Sequence, residues 1–237
     1  MKKPGAIFCW SGGKDSAYCL HKVLTEKSFD VRYLLTTVND EFGRISMHGV
    51  REELLDLQAA SIGISLLKVR VSAGTNEEYE RLMEAALLKV KPEGITHVIF
   101  GDIFLEDLRI YRENNLAKVG MKAVFPLWKS DTAWLIRDFI RLQFKTIICC
   151  TNGGCLGEEW LGREIDSSFT EHLPAEIDPC GENGEFHSFC FDGPLFTKKI
   201  RFTVGEKVFR PLEVKTDPPA PLPSSPGFWF CDLLPAD

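Results

Sequence analysis

Residues 7–20 read IFCWSGGKDSAYCL, with two serines, two glycines, a lysine and an aspartate in the six positions Ser11–Ser16 between apolar segments. The preceding AIFCW (6–10) has the composition of a strand. The following DSAYCLHKVLTEK (15–27) places Ala17, Leu20, Val23 and Leu24 on one helical face. A strand–turn–helix junction of this kind collects successive backbone N–H groups and the positive end of a helix dipole at one point, which is how a phosphate is held. Gly12 and Gly13 permit positive φ and keep side chains out from between backbone and anion, Lys14 adds a point charge, and Ser11 and Ser16 add hydroxyl donors. A carboxylate among phosphates is intelligible if it approaches Mg²⁺, and Asp15 is the candidate ligand. Lys14 and Asp15 are expected to contact a ligand rather than to pack. Two commoner phosphate patterns fail. G-x-x-x-x-G-K-[ST] requires glycine at Phe8 and Ser or Thr at Asp15, and G-x-G-x-x-G is absent. A plain glycine turn before a helix is the bland alternative, and the length of the motif together with both flanks outweighs it.

Alternation continues outward from this junction. Strands are expected at 31–38, 65–71 and 97–103 and helices at 50–63 and 76–90, with Gly63 as a helix stop. Strand, helix, strand, helix predicts an α/β fold, a parallel doubly wound sheet that takes its ligand at the carboxyl ends of the strands. Gly101 and Asp102 fall at such an end, and His48 on the loop after the second strand lies near the same edge. Beyond a boundary at Val124–Trp128 the pattern loosens. A helix at 132–144, strands at 145–152, 186–191 and 199–205, a Pro-rich arm at 216–227 and a last strand at 228–234 predict a smaller α+β domain. The division expected from the pattern is residues 1–125 and 126–237. No internal repeat is present.

A second polar concentration lies in EIDPCGENGEFHSFCFDGPLF (176–196), where Glu182, Asn183, Glu185 and His187 stand within six residues among Gly181 and Gly184. A solvated turn is the ordinary reading of such a stretch. Glycines just before a strand also offer a firm mount for carboxylates. Arg112 and Arg163 could neutralise a triphosphate or a substrate carboxylate, or simply form salt bridges. SGGKDS resembles the PP-loop of the ATP pyrophosphatases. Together with SMHGVREELLDLQAASIGISL, FGDIFLEDLRIYRE, FPLW, LGREID and DPCGENGEFHSF, it makes nearly the whole chain resemble the N-type ATP pyrophosphatase family that includes diphthine-ammonia ligase.

That resemblance implies a PP-loop domain that uses ATP and Mg²⁺, cleaves between the α- and β-phosphates and adenylates an acceptor. The acceptor, a small-molecule or protein-borne carboxylate, would then form an amide with ammonia as AMP leaves. It implies nucleotide contacts from Ser11, Gly12, Gly13, Lys14, Asp15, Ser16, His48, Gly101 and Asp102, Mg²⁺ contact from Asp15, and catalytic roles for Lys14, Asp15, Glu182, Asn183, Glu185 and His187. The motif GENGEFH departs from the glycine-rich form of diphthamide-forming members, so the acceptor stays open. A PP-loop sulfurtransferase is a rival. It would need a persulfide-carrying cysteine and a tRNA partner. A non-catalytic adenine-nucleotide sensor is another, and it would need no second carboxylate-rich signature.

Composition narrows the setting. The chain has 237 residues, 44% of them hydrophobic, and a formal charge of −6, enough apolar mass for a core and a poor match to a polyanion. No nucleic-acid partner is expected. The single basic cluster KKIR (198–201) reads as the solvated edge of a strand. Eight cysteines with no leader segment and several in apolar runs read as reduced thiols, those of CCTNGGC and Cys180 included. No apolar run approaches the roughly 20 residues that cross a bilayer. A cytoplasmic protein is expected, with no membrane partner and with homo-oligomerisation open.

Overall fold

The computed structural model describes residues 3–45, 48–72, 76–211 and 227–236. The Pro-rich arm expected at 216–227 lies outside the described residues up to Gly227. Sheet one contains β1 (Gly5–Cys9), β2 (Asp30–Asn39), β3 (Arg44–Ile45), β4 (Ser65–Val71), β5 (Ile95–Ile99) and β6 (Lys122–Val124). β1 pairs in parallel with β2 and β5, β2 with β4, and β5 with β6, while β3 folds back antiparallel on the last two residues of β2. The chain thus builds outward from β1 through β2 to β4 and then returns to add β5 and β6 on the other side. That reversal beside β1 opens a crevice beyond the carboxyl ends of β1 and β5, the switch point where doubly wound sheets bind ligands.

Helices α1 (Lys14–Glu26), α2 (Glu52–Ile62), α3 (Asn76–Val90) and α4 (Glu106–Lys118) cover the two faces. The period-two alternation of β1 shows why both must be covered. Ala6 and Phe8 enter one apolar cluster with residues of α1 and α2, whereas Ile7 enters another with Leu87, Val90 and Leu116 from α3 and α4. α2 ends at Gly63 with φ +80, as its stop signal requires.

The second sheet is antiparallel, ordered β8 (Phe186–Asp192), β7 (Lys145–Asn152), β10 (Gly227–Pro235) and β9 (Phe202–Pro211). Helix α5 (Thr132–Arg141) precedes it, capped by Asp131 accepting from Trp134 N at 2.6 Å, and the short α6 (Ser167–His172) lies between β7 and β8. Buried residues of β7 and β8, among them Ile148 and Phe189, join the cluster that holds α1 and α2, so one core runs under both sheets.

Four elements escape the sequence reading, β3, α4, β6 and α6. α4 buries only Leu116, so its apolar periodicity is faint. The strand expected at 97–103 stops at Ile99, leaving Gly101 and Asp102 on the loop that the switch point needs. KKIR is not a strand edge, because Lys198–Arg201 form the irregular approach to β9 and only Ile200 is buried. All eight cysteines are unpaired thiols. Among the described residues no helix is long and apolar enough to cross a membrane.

Candidate nucleotide and acceptor site

The loop Trp10–Gly13 connects β1 to α1. Gly12 adopts φ +77, and a Cβ there would stand 2.8 Å from Gln58 Oε1 and from a Leu55 methyl. Gly13 keeps φ −88 and is small for another reason, since its Cβ would meet His48 Cε1 and the Ser188 carbonyl at 3.0 Å. The two serines serve the loop itself. Ser11 Oγ accepts from Gly13 N at 3.3 Å and lies 3.1 Å from Ser16 Oγ, which donates to Gly13 O at 3.0 Å. Gly101 permits the loop after β5 to press on the first turn of α1, for a Cβ would lie 3.3 Å from the Asp15 carbonyl carbon and oxygen and from Ser16 N.

The second sheet meets this loop along β8, which lies at the edge of its sheet. Cys190 N donates to Gly12 O at 2.8 Å, Lys14 N donates to Ser188 Oγ at 3.2 Å, and His48 Nδ1 lies 3.2 Å from Ser188 O. The phosphate-type loop therefore covers the free edge of the second sheet. Between the two units lies a cleft of about 490 Å³. From the first unit it is lined by Ser11, Gly13, Lys14, Asp15 and Ser16, by His48, Thr36 and Thr37, and by Gly101, Asp102 and Arg112. From the second come Cys180, Gly181, Glu182, Asn183, Gly184 and Phe186–Ser188.

The charges in the cleft are mostly paired. Lys14, 3% exposed, holds Asp15 Oδ2 at 2.7 Å, donates to the Cys180 carbonyl and stands 5.2 Å from the centre of the Phe186 ring. Burial opposes the Lys14 charge most strongly, but Asp15, Cys180 and Glu182 together outweigh it and the ammonium is held above its ordinary value; for Asp15 burial prevails over Lys14 and lifts the carboxyl. Asp102 and Arg112 form an ion pair at 2.7 Å, so Arg112 takes the salt-bridge alternative, with its guanidinium 4.3 Å from the Phe100 ring centre. Arg163 does not line the cleft and stacks instead on Trp160 at 4.4 Å.

Glu182 reaches across from the second unit. Its Oε1 accepts from Ile103 N at 2.7 Å and Phe104 N at 3.4 Å, and burial pushes its carboxyl up to about 7 against the pull of the Ile103 N–H. His48 and His187 stack with ring centres 4.6 Å apart. Burial holds both neutral, His48 lowered to about 4 and His187 to about 3, with Lys14 pushing the same way.

Most of the residues singled out in the sequence do meet here. Three stay out of the lining, Arg163 among them. Gly12 is turned to Gln58 and β8. Glu185, expected among the catalytic residues, is 5% exposed and accepts from Asp178 N at 3.1 Å and Asn183 Nδ2 at 3.0 Å, bracing its own loop. Strand alternation does not decide this, because Gly184 and Glu185 precede β8. Sequence reading also misses Gln58, Ser188, Thr36 and Tyr79. Their types are common in helices and strands, and only the close approach of a glycine loop hints that something must fill its back.

A glycine-bent loop that opens a helix at the switch point of a doubly wound sheet defines an α/β nucleotide-binding protein of the PP-loop class. The chain belongs to the diphthamide synthase family: residues 4–123 match the diphthamide synthase N-terminal domain and residues 131–214 the diphthamide synthase C-terminal domain. The diphthine–ammonia ligase of Rattus norvegicus is 26% identical over 220 residues, covering 84% of this chain and 82% of its own length. That of Danio rerio is 27% identical over 223 residues, 84% of this chain and 86% of its own. The Schizosaccharomyces pombe protein of the same name is 26% identical over 233 residues, 88% of this chain and 37% of its own greater length.

Proposed function

We propose that the protein is an ATP-dependent, AMP-forming ligase that adenylates the carboxylate of an acceptor and joins it to ammonia, as the name diphthine–ammonia ligase describes for its relatives. The observation that carries this reading is a single cleft shared by the phosphate-type loop and the Glu182–His187 segment. At about 490 Å³ it lies within the range of roughly 300–1,000 Å³ usual for small-molecule sites. In this reading residues 1–125 hold the nucleotide and 126–237 the acceptor.

Ser11, Gly13, Ser16 and the first turn of α1 suit a triphosphate, with Gly12 shaping the loop. Among the described residues no three ligating side chains cluster around a point, but Mg²⁺ commonly takes only one or two carboxylates and completes its shell from phosphates and water. Asp15 at the mouth of α1 fits that role. Bound there, Mg²⁺ would offset charge as pyrophosphate leaves. Lys14 and the Gly101–Asp102 loop orient the phosphates, and the ion pair with Arg112 keeps Asp102 in place. Glu182, Asn183 and His187 face the acceptor, while Glu185 holds the loop that presents them. Catalysis rests on positioning and on charge compensation in a closed cleft. The setting proposed is the cytoplasm, consistent with unpaired thiols.

Product analysis tests the class. With MgATP, ammonium and an acceptor, AMP and pyrophosphate are expected. Acceptor-dependent ADP and phosphate would overturn the mechanism.

A further inference from the structure

Gln58 is a fully buried amide with every hydrogen-bonding group used. From α2 its Nε2 donates to Gly12 O at 3.0 Å and to Cys190 O at 2.5 Å, and its Oε1 accepts from Trp10 Nε1 at 2.9 Å. The indole can only donate, so the orientation of the amide is settled. One side chain therefore touches Trp10 just after β1, the left-handed glycine of the phosphate-type loop, and strand β8. Its partners are the loop and strand already joined by the bond from Cys190 N to Gly12 O.

We propose that Gln58 is a positioning residue that sets the shape of the phosphate-type loop and locks it to β8, so that nucleotide and acceptor sites are held in one register. This rests on the nucleotide reading of the cleft. An amide suits the task because two carbonyls converge on it from different elements: Cys190 O on edge strand β8, and Gly12 O, which takes this bond in addition to the one from Cys190 N. No apolar side chain of that shape can replace it without leaving Trp10 Nε1 unpaired. A carboxylate in its place would face two carbonyl oxygens. Gly12 completes the fit, since a Cβ there would crowd Gln58 Oε1 at 2.8 Å.

The probe is Mg²⁺ with α,β-methylene-ATP, measured by calorimetry on the full chain. Gln58→Leu is expected to weaken binding tenfold or more in protein whose circular dichroism remains native. Gln58→Glu is expected to bind poorly at pH 8 and to regain affinity relative to wild type toward pH 5, where a neutral carboxyl restores one donor. In wild-type protein the Gln58 side-chain amide and the Trp10 indole N–H, assigned with Trp10→Phe, are expected to shift on nucleotide addition. Gln58→Leu affinity within twofold of wild type, or unmoved amide and indole signals, would overturn the proposal. If Gln58→Leu fails to fold, the wild-type spectra decide. Wild-type protein that does not bind the nucleotide would overturn the reading of the cleft and this inference with it.

Discussion

Lys14 is the residue at which expectation and structure differ most instructively. A lysine in a glycine loop reads as a ligand contact, yet this one is 3% exposed and spans Asp15 and the Cys180 carbonyl. It packs as well as lining the cleft. Lys14→Met should cost about 2–3 kcal/mol, less than the usual cost of breaking a fully buried pair because the Asp15 side chain stays 30% exposed. Adding Asp15→Asn should return part of that loss, and thermal unfolding of both variants measures it. The stacked histidines carry a pH signature. Their folded values, about 4 and about 3, lie below the ordinary 6.5, so the stability they allow is present above pH 6.5 and is lost as pH falls through 4 to 3. His187→Phe should flatten the acid limb of the stability profile in urea titrations from pH 6.5 down to 3. The residue types at Ser11–Ser16 and Glu182–His187 were legible in the chain. Their partners were not, because Ser188 and Gln58 act through positions that only the folded chain brings near.

Among elements, β10 shows how a distant strand is held to the first unit. Asp232 accepts from Arg44 on β3 at 2.9 Å and from Arg51, just before α2, at 2.7 Å, and those two arginines pull its carboxyl down to about 2. The sign follows from the depressed value: the contribution is complete above about pH 3.8 and disappears as pH falls through 2. Asp232→Asn should lower stability at pH 7 by about 1 kcal/mol and erase that acid dependence. Chemical denaturation at pH 7 and pH 3 separates the two effects. The strand expected at 228–234 is β10 itself, whose aromatic run Phe228–Phe230 announces it. Its clamp was illegible, since nothing local pairs an aspartate near the chain's end with arginines about 180 residues earlier. α4 fails for the opposite reason, with a polar surface that carries little periodic signal.

At the scale of the molecule, the two sheets share a hydrophobic cluster. Phe8 and Leu20 of the first unit belong to the same packed group as Ile148 and Phe189 of the second. A fragment ending at residue 125 would leave that side of β1, α1 and α2 uncovered. It should lack the dispersed amide spectrum of the full chain, and the full chain should unfold in a single calorimetric transition. A well-dispersed fragment spectrum would show that the first unit closes its core alone.

Local rules reach far into this chain. Apolar runs announced β1, β2 and β4, and 3.6-residue apolar spacing the helices between them, because a parallel sheet covered on both faces buries successive strand residues while a helix buries one stripe. The glycine pattern at Gly12 and Gly13 announced the tight bend between β1 and α1, because the backbone shape at one and the close approach of neighbours at the other leave no room for a side chain. Folding alone settled which carboxylates face the cleft, that Glu182 bridges to the loop after β5 while Glu185 braces its own, and that the loop lies on the edge of β8. The physical reason is range. Period and turn chemistry act over a few neighbours along the chain, whereas a hydrogen bond between Cys190 and Gly12 depends on how two sheets pack over one core.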